Sequence, residues 1–433
     1  MEPRTRVALV SEHASPLAAL GSEDAGGQNV YIDEVGRNLA SLGYGVDIFT
    51  RRDAADLPEV VEYAPGVRVV HLQAGPAAFL AKDEIWPHMP AFQRSLLRFM
   101  LRTGARYDLL HGNFWMSGWV VARLRQKLNV PAVQIFHATG ITKRRHQGDA
   151  DTSPDERIAV ERRIVAGVSR VIAQCPAECV ELVDEYNADP GKVTIIPSAV
   201  NTQRFVPVDR AEARRAIGLD GDGPVVVYVG RLLPRKDVRN VVRAVAELNH
   251  ARGLPARLLL VGGDDAPESA ASRELAALRA LADEIDITEQ VIFAGPQQPC
   301  HLKLFYGAGD VAVTTPWYEP FGLTPLEAMA CGRPVVGSAV GGLTFSIQDG
   351  VTGALVPPRD PSSLAAALER ILRDDAGRRV MGLAARARVE REFTWMMTAR
   401  RTAVLYEALL EESRGGTGPT RERAVGDGST GER

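Results

Sequence analysis

Short, nearly unbroken apolar runs alternate with helical periodicity along most of the chain. The runs fall at residues 6–11, 46–50, 67–72, 108–111, 132–137, 170–175 and 193–197. They resume at 225–229, 258–261, 291–294, 311–314, 334–337 and 354–356. A strand that is apolar on both faces belongs inside a sheet covered on both sides. Helical patterns fill most of the gaps, at 27–42, 117–128, 155–166, 238–252, 273–284 and 362–372. Strand and helix alternating in this way predict the α/β class, with parallel sheets and helices on both faces.

The rhythm breaks once. Residues 201–210 are polar, lack periodicity and include Pro207, which places an interdomain link there. Two Rossmann-like domains are expected, at 1–203 and 204–395. A last helical pattern follows Trp395, and residues 413–433, rich in Gly, Ser, Thr and Arg, are expected to be disordered.

Composition narrows the function classes. With 433 residues the chain is long for one core. A net charge of −3 argues against a nucleic-acid partner. No apolar run reaches the ~18 residues of a membrane span. The four cysteines, Cys175, Cys179, Cys300 and Cys331, are too few for a disulfide scaffold and read as reduced core or near-core residues. With no signal peptide at the N-terminus, the expectation is a cytoplasmic protein without stable membrane insertion.

The stretch from Trp317 to Gly332 carries the densest chemistry. It follows an apolar run and opens a short helix, with Thr324 as the expected N-cap, Pro325 as the first helical residue and Glu327 in a capping box. The free N–H groups of such a terminus favour an anion, typically phosphate. Glu319 and Glu327 flank that site and suit hydroxyl donors on a sugar or ribose. Phosphate in the middle with hydroxyls on both sides describes a nucleotide-sugar. On pattern alone, Glu327 as a cap and Glu319 as a solvated loop residue explain the stretch equally well.

Other candidates are weaker singly. Arg231 and Lys236 lie in the loop after the 225–229 run, where two cations can stabilise a departing diphosphate. Gly26 and Gly27 open the first helix and allow close approach of a phosphate, although a plain turn serves as well. His137 ends an apolar run and is followed by the basic stretch Lys143, Arg144, Arg145 and His146. That stretch reads either as a solvated loop or as a site for an anionic acceptor. Two Asp-x-Asp pairs, Asp149 with Asp151 and Asp220 with Asp222, lie in polar loops away from apolar runs. They are discounted as a metal site, and no metal or cofactor is expected.

Glu319 and Glu327, with Pro320, Phe321, Gly322 and Leu323 between them, resemble the E-x7-E motif of the retaining GT-B glycosyltransferases of group 1, family 4. Val229 to Asp237 is similar to that family's Gly-Arg-Leu-x-x-x-Lys pattern. The resemblance spans about Arg6 to Glu411. It is nearest to the sucrose-phosphate synthases and to the inositol-phosphate N-acetylglucosaminyltransferases of mycothiol synthesis. It implies a GT-B fold, with the terminal helix 396–412 crossing back to the first domain.

The resemblance also implies roles. His137 and Glu319 contact the transferred sugar, while Arg231 and Lys236 hold the leaving diphosphate. Gly26, Gly27, Gly230, Phe293, Pro296, Phe321, Gly322, Leu323, Thr324 and Glu327 bind the donor. Asn29, Thr139, Lys143, Arg144 and Arg157 lie by the acceptor. Gly341-Gly342 resembles a further donor-side loop. Glu23-Asp24-Ala25 before the glycines departs from the sucrose-phosphate synthase pattern, as does the string from His137 to Lys143, which leaves the acceptor open. The expected function is transfer from a nucleotide-diphosphate-sugar, UDP-linked in preference to GDP or ADP, to a hydroxyl of a small sugar or cyclitol, phosphorylated or not. A nucleotide-sugar epimerase, a phosphorylase or a non-catalytic binding module is the alternative. The base, the sugar, the acceptor and the oligomeric state are not encoded in any of these motifs.

Overall fold

The computed structural model describes residues 5–18, 26–263 and 269–415, and the Glu23-Asp24-Ala25 departure lies outside them. The apolar runs form two sheets. The first is built from β1 (Thr5–Val10), β2 (Tyr44–Arg51), β3 (Val60–Ala64), β4 (Val67–Leu72), β5 (Leu109–Asn113), β6 (Ala132–Ile135), β7 (Arg170–Ala173) and β8 (Val193–Ile195). Its order is β3-β4-β2-β1-β5-β6-β7-β8. The second contains β9 (Val225–Val229), β10 (Arg257–Val261), β11 (Val291–Gly295), β12 (Val311–Thr314), β13 (Val335–Ser338) and β14 (Gly353–Val356), in the order β11-β10-β9-β12-β13-β14. Central strands such as β9, Val-Val-Val-Tyr-Val, are buried on both faces, as their unbroken apolar runs predict.

One strand breaks the parallel pattern. β3 pairs antiparallel with β4 at the sheet edge. Pro65 and Gly66 fill the turn between them, with Gly66 at φ 76°. Its half-exposed, mixed sequence carries no buried-strand signal, so only the tight Pro-Gly turn marks it.

In each sheet the order reverses at one point, between β1 and β5 and between β9 and β12. Loops leaving the carboxyl ends of the strands on either side of such a reversal open a crevice, the usual ligand position in open α/β sheets. The Gly26-Gly27 turn precedes the helix reached from β1, the Arg231–Lys236 loop follows β9, and the Trp317–Gly322 loop follows β12. Topology therefore gathers the candidate motifs at facing crevices.

The last helix, Trp395–Gly415, returns to the first sheet as expected. Thr398 Oγ1 donates to the Pro197 carbonyl at 2.8 Å, and Tyr406 Oη lies 2.6 Å from His111 Nδ1. It runs three residues into the segment expected to be disordered, since Ser413 Oγ closes onto the Leu409 carbonyl at 2.9 Å. The rest of that tail lies outside the described residues. All four cysteines are free, but Cys300 is exposed rather than near the core.

Candidate functional site

A cavity of about 450 Å³ lies between the two sheets. The first-domain wall includes Gly26, Gly27, Gln28, Glu34, His137 and Gln174. The second-domain wall includes Gly230, Arg231, Lys236, Pro296, the loop Tyr318–Thr324 and Glu327. The walls approach closely, because a Cβ on Gly27 would already stand 3.4 Å from Leu323 Cδ1.

The Trp317–Gly322 loop is held in shape before any ligand arrives. Trp317 N donates to the Arg235 carbonyl at 2.9 Å, which ties it to the loop after β9. Gly342 N donates to the Glu319 carbonyl at 3.0 Å. A Cβ at Gly341 would run into that same carbonyl, so Gly341-Gly342 is the floor on which the loop lies. Gly322, at φ 90°, then turns the chain into the helix Leu323–Ala330.

This geometry corrects the expected cap. Gly322 is the N-cap, Thr324 and Pro325 already lie inside the helix, and no side chain caps it. Pro325 is tolerated there because the first turn has no internal acceptor for its missing N–H. Thr324 lines the cavity instead. Glu327 takes no part in a capping box either: its carboxylate accepts the Tyr306 hydroxyl at 2.9 Å. Burial raises its pKa to about 7, against that hydrogen bond.

Lys236 pairs directly with Glu319 across the two loops. Burial lowers the Lys236 pKa, and Glu319 opposes the shift. For Glu319 burial works upward, yet Lys236, Arg235 and Arg231 together hold the carboxyl below its ordinary range. The pair is largely buried, its side chains 17% and 12% exposed, at the mouth of a helix N-terminus.

His137 faces these groups from the first domain. Its backbone is left-handed, φ 60°, a conformation that costs energy in a non-glycine residue and clusters at functional sites. Nε2 sits 3.2 Å from Asn113 Oδ1, and the Tyr31 ring packs edge-on at 4.9 Å. Burial, with His111 and His13 nearby, pushes its pKa down to about 3, so the imidazole is neutral.

The expected acceptor residues fare differently. Asn29 is buried, its Oδ1 accepting from Gly26 N at 2.9 Å and its Nδ2 donating to the Ser15 carbonyl at 2.9 Å, so it braces the glycine turn. Arg157 is 1% exposed and bonds Glu161 Oε1 at 2.8 Å, Ser153 Oγ at 3.1 Å and the Ala138 carbonyl at 2.7 Å. Lys143 pairs with Asp151 at 2.9 Å, and Arg144 reaches Asp151 and Asp155 at 3.6 Å each. Thr139 donates to Glu181 and borders a second cavity of about 290 Å³. None of the five lines the main cavity. Phe293 is also absent from its wall, its ring lying instead under the Arg279 guanidinium, 5.0 Å away. Pro296, Gln297 and Pro299 stand there in its place. Glu34, Gln174, Arg204, Tyr318 and Trp395 line the cavity without having been singled out, since no local pattern distinguishes them. Among the described residues no cluster of His, Cys, Asp or Glu is arranged to hold a metal ion. No helix among them is long and apolar enough to cross a membrane.

Two doubly wound sheets facing across a cleft, with cations and a helix N-terminus on one wall, define the GT-B architecture of nucleotide-sugar transferases. Residues 25–204 match the model of Glycosyltransferase Family 4, and residues 209–388 that of Glycosyl transferases group 1. The chain is 40% identical over 417 residues to a D-inositol 3-phosphate glycosyltransferase of Acidothermus cellulolyticus, covering 94% of this chain and 91% of that one. Among solved structures, sucrose-phosphate synthase from Thermosynechococcus elongatus superposes with a TM-score of 0.86 at 37% identity, covering 94% of this chain and all of that one. HepE from Anabaena, solved in complex with UDP and glucose, shares the fold at a TM-score of 0.72 and 19% identity, covering 94% of this chain and 100% of that one. The chain belongs to glycosyltransferase family 4, group 1, and is a glycosyltransferase.

Proposed function

We propose that the enzyme transfers a sugar from a nucleoside-diphosphate donor, UDP-linked in preference to GDP or ADP, to a hydroxyl of a small sugar or cyclitol, with retention of configuration. The observation that carries this reading is the convergence of Arg231, the Lys236–Glu319 pair and the start of the helix Leu323–Ala330 on one wall of the cleft. The N–H groups of Leu323 and Thr324 have no acceptor within their helix and suit the diphosphate. Arg231 and Lys236 stabilise the charge that grows as it leaves. Glu327 accepts the ribose hydroxyls, Glu319 holds the sugar, and neutral His137 hydrogen-bonds a sugar hydroxyl.

Glu319, the carboxylate placed at the sugar, is engaged by Lys236, which disfavours it as a nucleophile. With its pKa near 3, His137 is a poor general base. The favoured route is therefore front-face substitution. The bond from the anomeric carbon to the diphosphate breaks, the acceptor oxygen bonds to the same face, and its proton passes to the departing phosphate. The fixed cations supply the charge neutralisation, so added divalent metal is not required. The domains are proposed to divide at 203/204, with the donor on the second and the acceptor on the first, in a cytoplasmic protein.

One observation favours a second reading of the acceptor. Lys143, Arg144 and Arg157 are all paired with carboxylates of their own domain, which suits a neutral hydroxyl compound better than a phosphorylated one. Incubation with UDP-, GDP- and ADP-sugars, alone and with inositol, inositol phosphate and hexose phosphates, separates these cases. Donor consumption without acceptor points to an epimerase, and binding without turnover to a non-catalytic protein. Anomeric coupling of the product, read by NMR before mutarotation, tests retention. An α-linked donor giving a β-linked product overturns the mechanism.

A further inference from the structure

Tyr318 precedes Glu319 in the loop after β12 and is 7% exposed. Groups from both domains converge on it. From the first domain, the His146 imidazole stacks on its ring, with centroids 4.9 Å apart and planes inclined by 19°. Gln147 Nε2, from the same domain, donates to its hydroxyl oxygen. From the second domain, the Arg235 guanidinium lies 5.4 Å from the ring centroid. Tyr318 also borders both the main cavity and the smaller one beside it.

His146 and Gln147 end the helix Gly140–Gln147, and that helix starts three residues after His137. Its beginning is fixed to the first domain. Gly140 N donates to Glu161 Oε2 at 2.9 Å, Ile141 N to the Tyr186 hydroxyl at 2.8 Å, and Thr142 Oγ1 to Glu181 at 2.6 Å. The helix is therefore a strut with His137 at one end and Tyr318 at the other. Wherever Tyr318 docks, the strut sets the distance between His137 on one wall and the Lys236–Glu319 pair on the other.

We propose that Tyr318 is a positioning residue: clasped by His146 and Gln147, it brings the two domains into the register in which His137 faces Glu319. The stacked ring and the hydrogen bond from the Gln147 amide link the two domains through side chains alone, so both require the two walls to stand at this separation. The diphosphate, on the reading above, binds at Arg231, Lys236 and the helix Leu323–Ala330, all in the second domain, whereas the first-domain half of the clasp, His146 and Gln147, bears on Tyr318. Losing the clasp therefore lowers turnover and leaves nucleotide affinity intact.

This inference rests on the proposed roles of His137, Lys236 and Glu319, and the test keeps the two apart. Tyr318→Leu and Gln147→Leu are compared with wild type, with His137→Ala and Lys236→Ala as references. UDP affinity is measured by calorimetry, and kcat and KM with whichever donor and acceptor prove active. Both clasp variants are expected to lose at least tenfold in kcat, with the UDP Kd within twofold of wild type. Gln147→Leu, on the opposite domain, keeps the test valid if Tyr318→Leu fails to fold. His146→Phe preserves the stack and should retain kcat within about threefold, whereas His146→Ala should not. Full kcat in both clasp variants, with activity lost in the reference variants, overturns the clasp alone. Full activity in all four overturns the reading of the site. A parallel loss of UDP affinity and kcat in Tyr318→Leu also overturns the clasp, because it makes Tyr318 a wall of the donor site.

Discussion

The loop after β9 and the segment from Thr139 to Arg157 are both rich in cations, yet the fold places those cations differently with respect to the main cavity. In the second domain Arg231 is exposed on the cavity wall, and Lys236 stands at the same wall with Glu319 as its partner. In the first domain Lys143 turns to Asp151, Arg144 to Asp151 and Asp155, and Arg157 to Glu161, all within one loop-and-helix unit. A basic residue near a crevice is a ligand candidate when its side chain lines the cavity, whether or not it is also paired. The first-domain cations hold their own loop and helix in place. Those of the second domain are proposed to hold the donor.

The largest effect expected from this contrast is on stability. Arg157→Ala removes a side chain that is 1% exposed and leaves buried Glu161 without its cation. Breaking one partner of a buried pair costs about 3–5 kcal/mol. Urea denaturation should show that loss, while the KM for the acceptor in the folded fraction changes little. A stability change under about 1 kcal/mol together with a tenfold rise in acceptor KM would return Arg157 to the acceptor site.

On the second-domain wall of the cavity the same substitution should act on rate. Arg231→Ala and Lys236→Ala are expected to lower kcat by about 10²-fold, or about 2.7 kcal/mol, as when one oxyanion donor is removed. Circular dichroism should report a native fold for Arg231→Ala, whose side chain is exposed. Full activity in both variants would erase the distinction between the two sets of cations.

The same contrast explains what was legible in the sequence. The sheets follow from near-continuous apolar runs, and the second-domain motifs are contiguous strings at strand ends, so residues 229–237 and 317–327 announce themselves. Contacts between distant segments do not. Gln147 and Tyr318 lie 171 positions apart, and nothing local marks either as a partner. Asn29 illustrates the opposite failure. Its place beside two glycines reads as ligand binding, but its amide oxygen and nitrogen brace Gly26 and Ser15, and it does not line the main cavity. The expected Thr324 cap failed because glycine at 322 lets the helix begin earlier than the capping pattern indicates.

Within the second domain the two carboxylates should separate by ligand. Glu327→Ala is expected to weaken UDP binding about tenfold, the scale of one hydrogen bond to a charged group. Glu319→Ala should leave UDP affinity nearly unchanged and depress turnover. Equal loss of affinity in both variants by calorimetry would contradict the division of roles.

The smallest expected effect is also the most diagnostic, because it has two signs. In the free protein burial lifts the Glu327 pKa from 4.5 to about 7. Its folded value exceeds its unfolded one, so its contribution to stability is fully present below pH 4.5 and fades as pH rises through about 7. Raising the pH from about 6 to 8 should therefore destabilise the ligand-free enzyme relative to Glu327→Gln, a variant that cannot ionise. Ribose hydroxyls donate best to the ionised carboxylate, so UDP affinity should move the other way and improve over the same range. Each pH unit below about 7 then weakens binding by at most about tenfold, the limit for one proton. The terminal phosphate of UDP titrates nearby, so the difference between wild type and Glu327→Gln is the quantity to follow. Stability falling while relative affinity rises identifies Glu327 as a ribose acceptor held partly protonated until the donor arrives. Stability and affinity falling together would show that its charge is tolerated by neither the fold nor the ligand, and the ribose assignment would go.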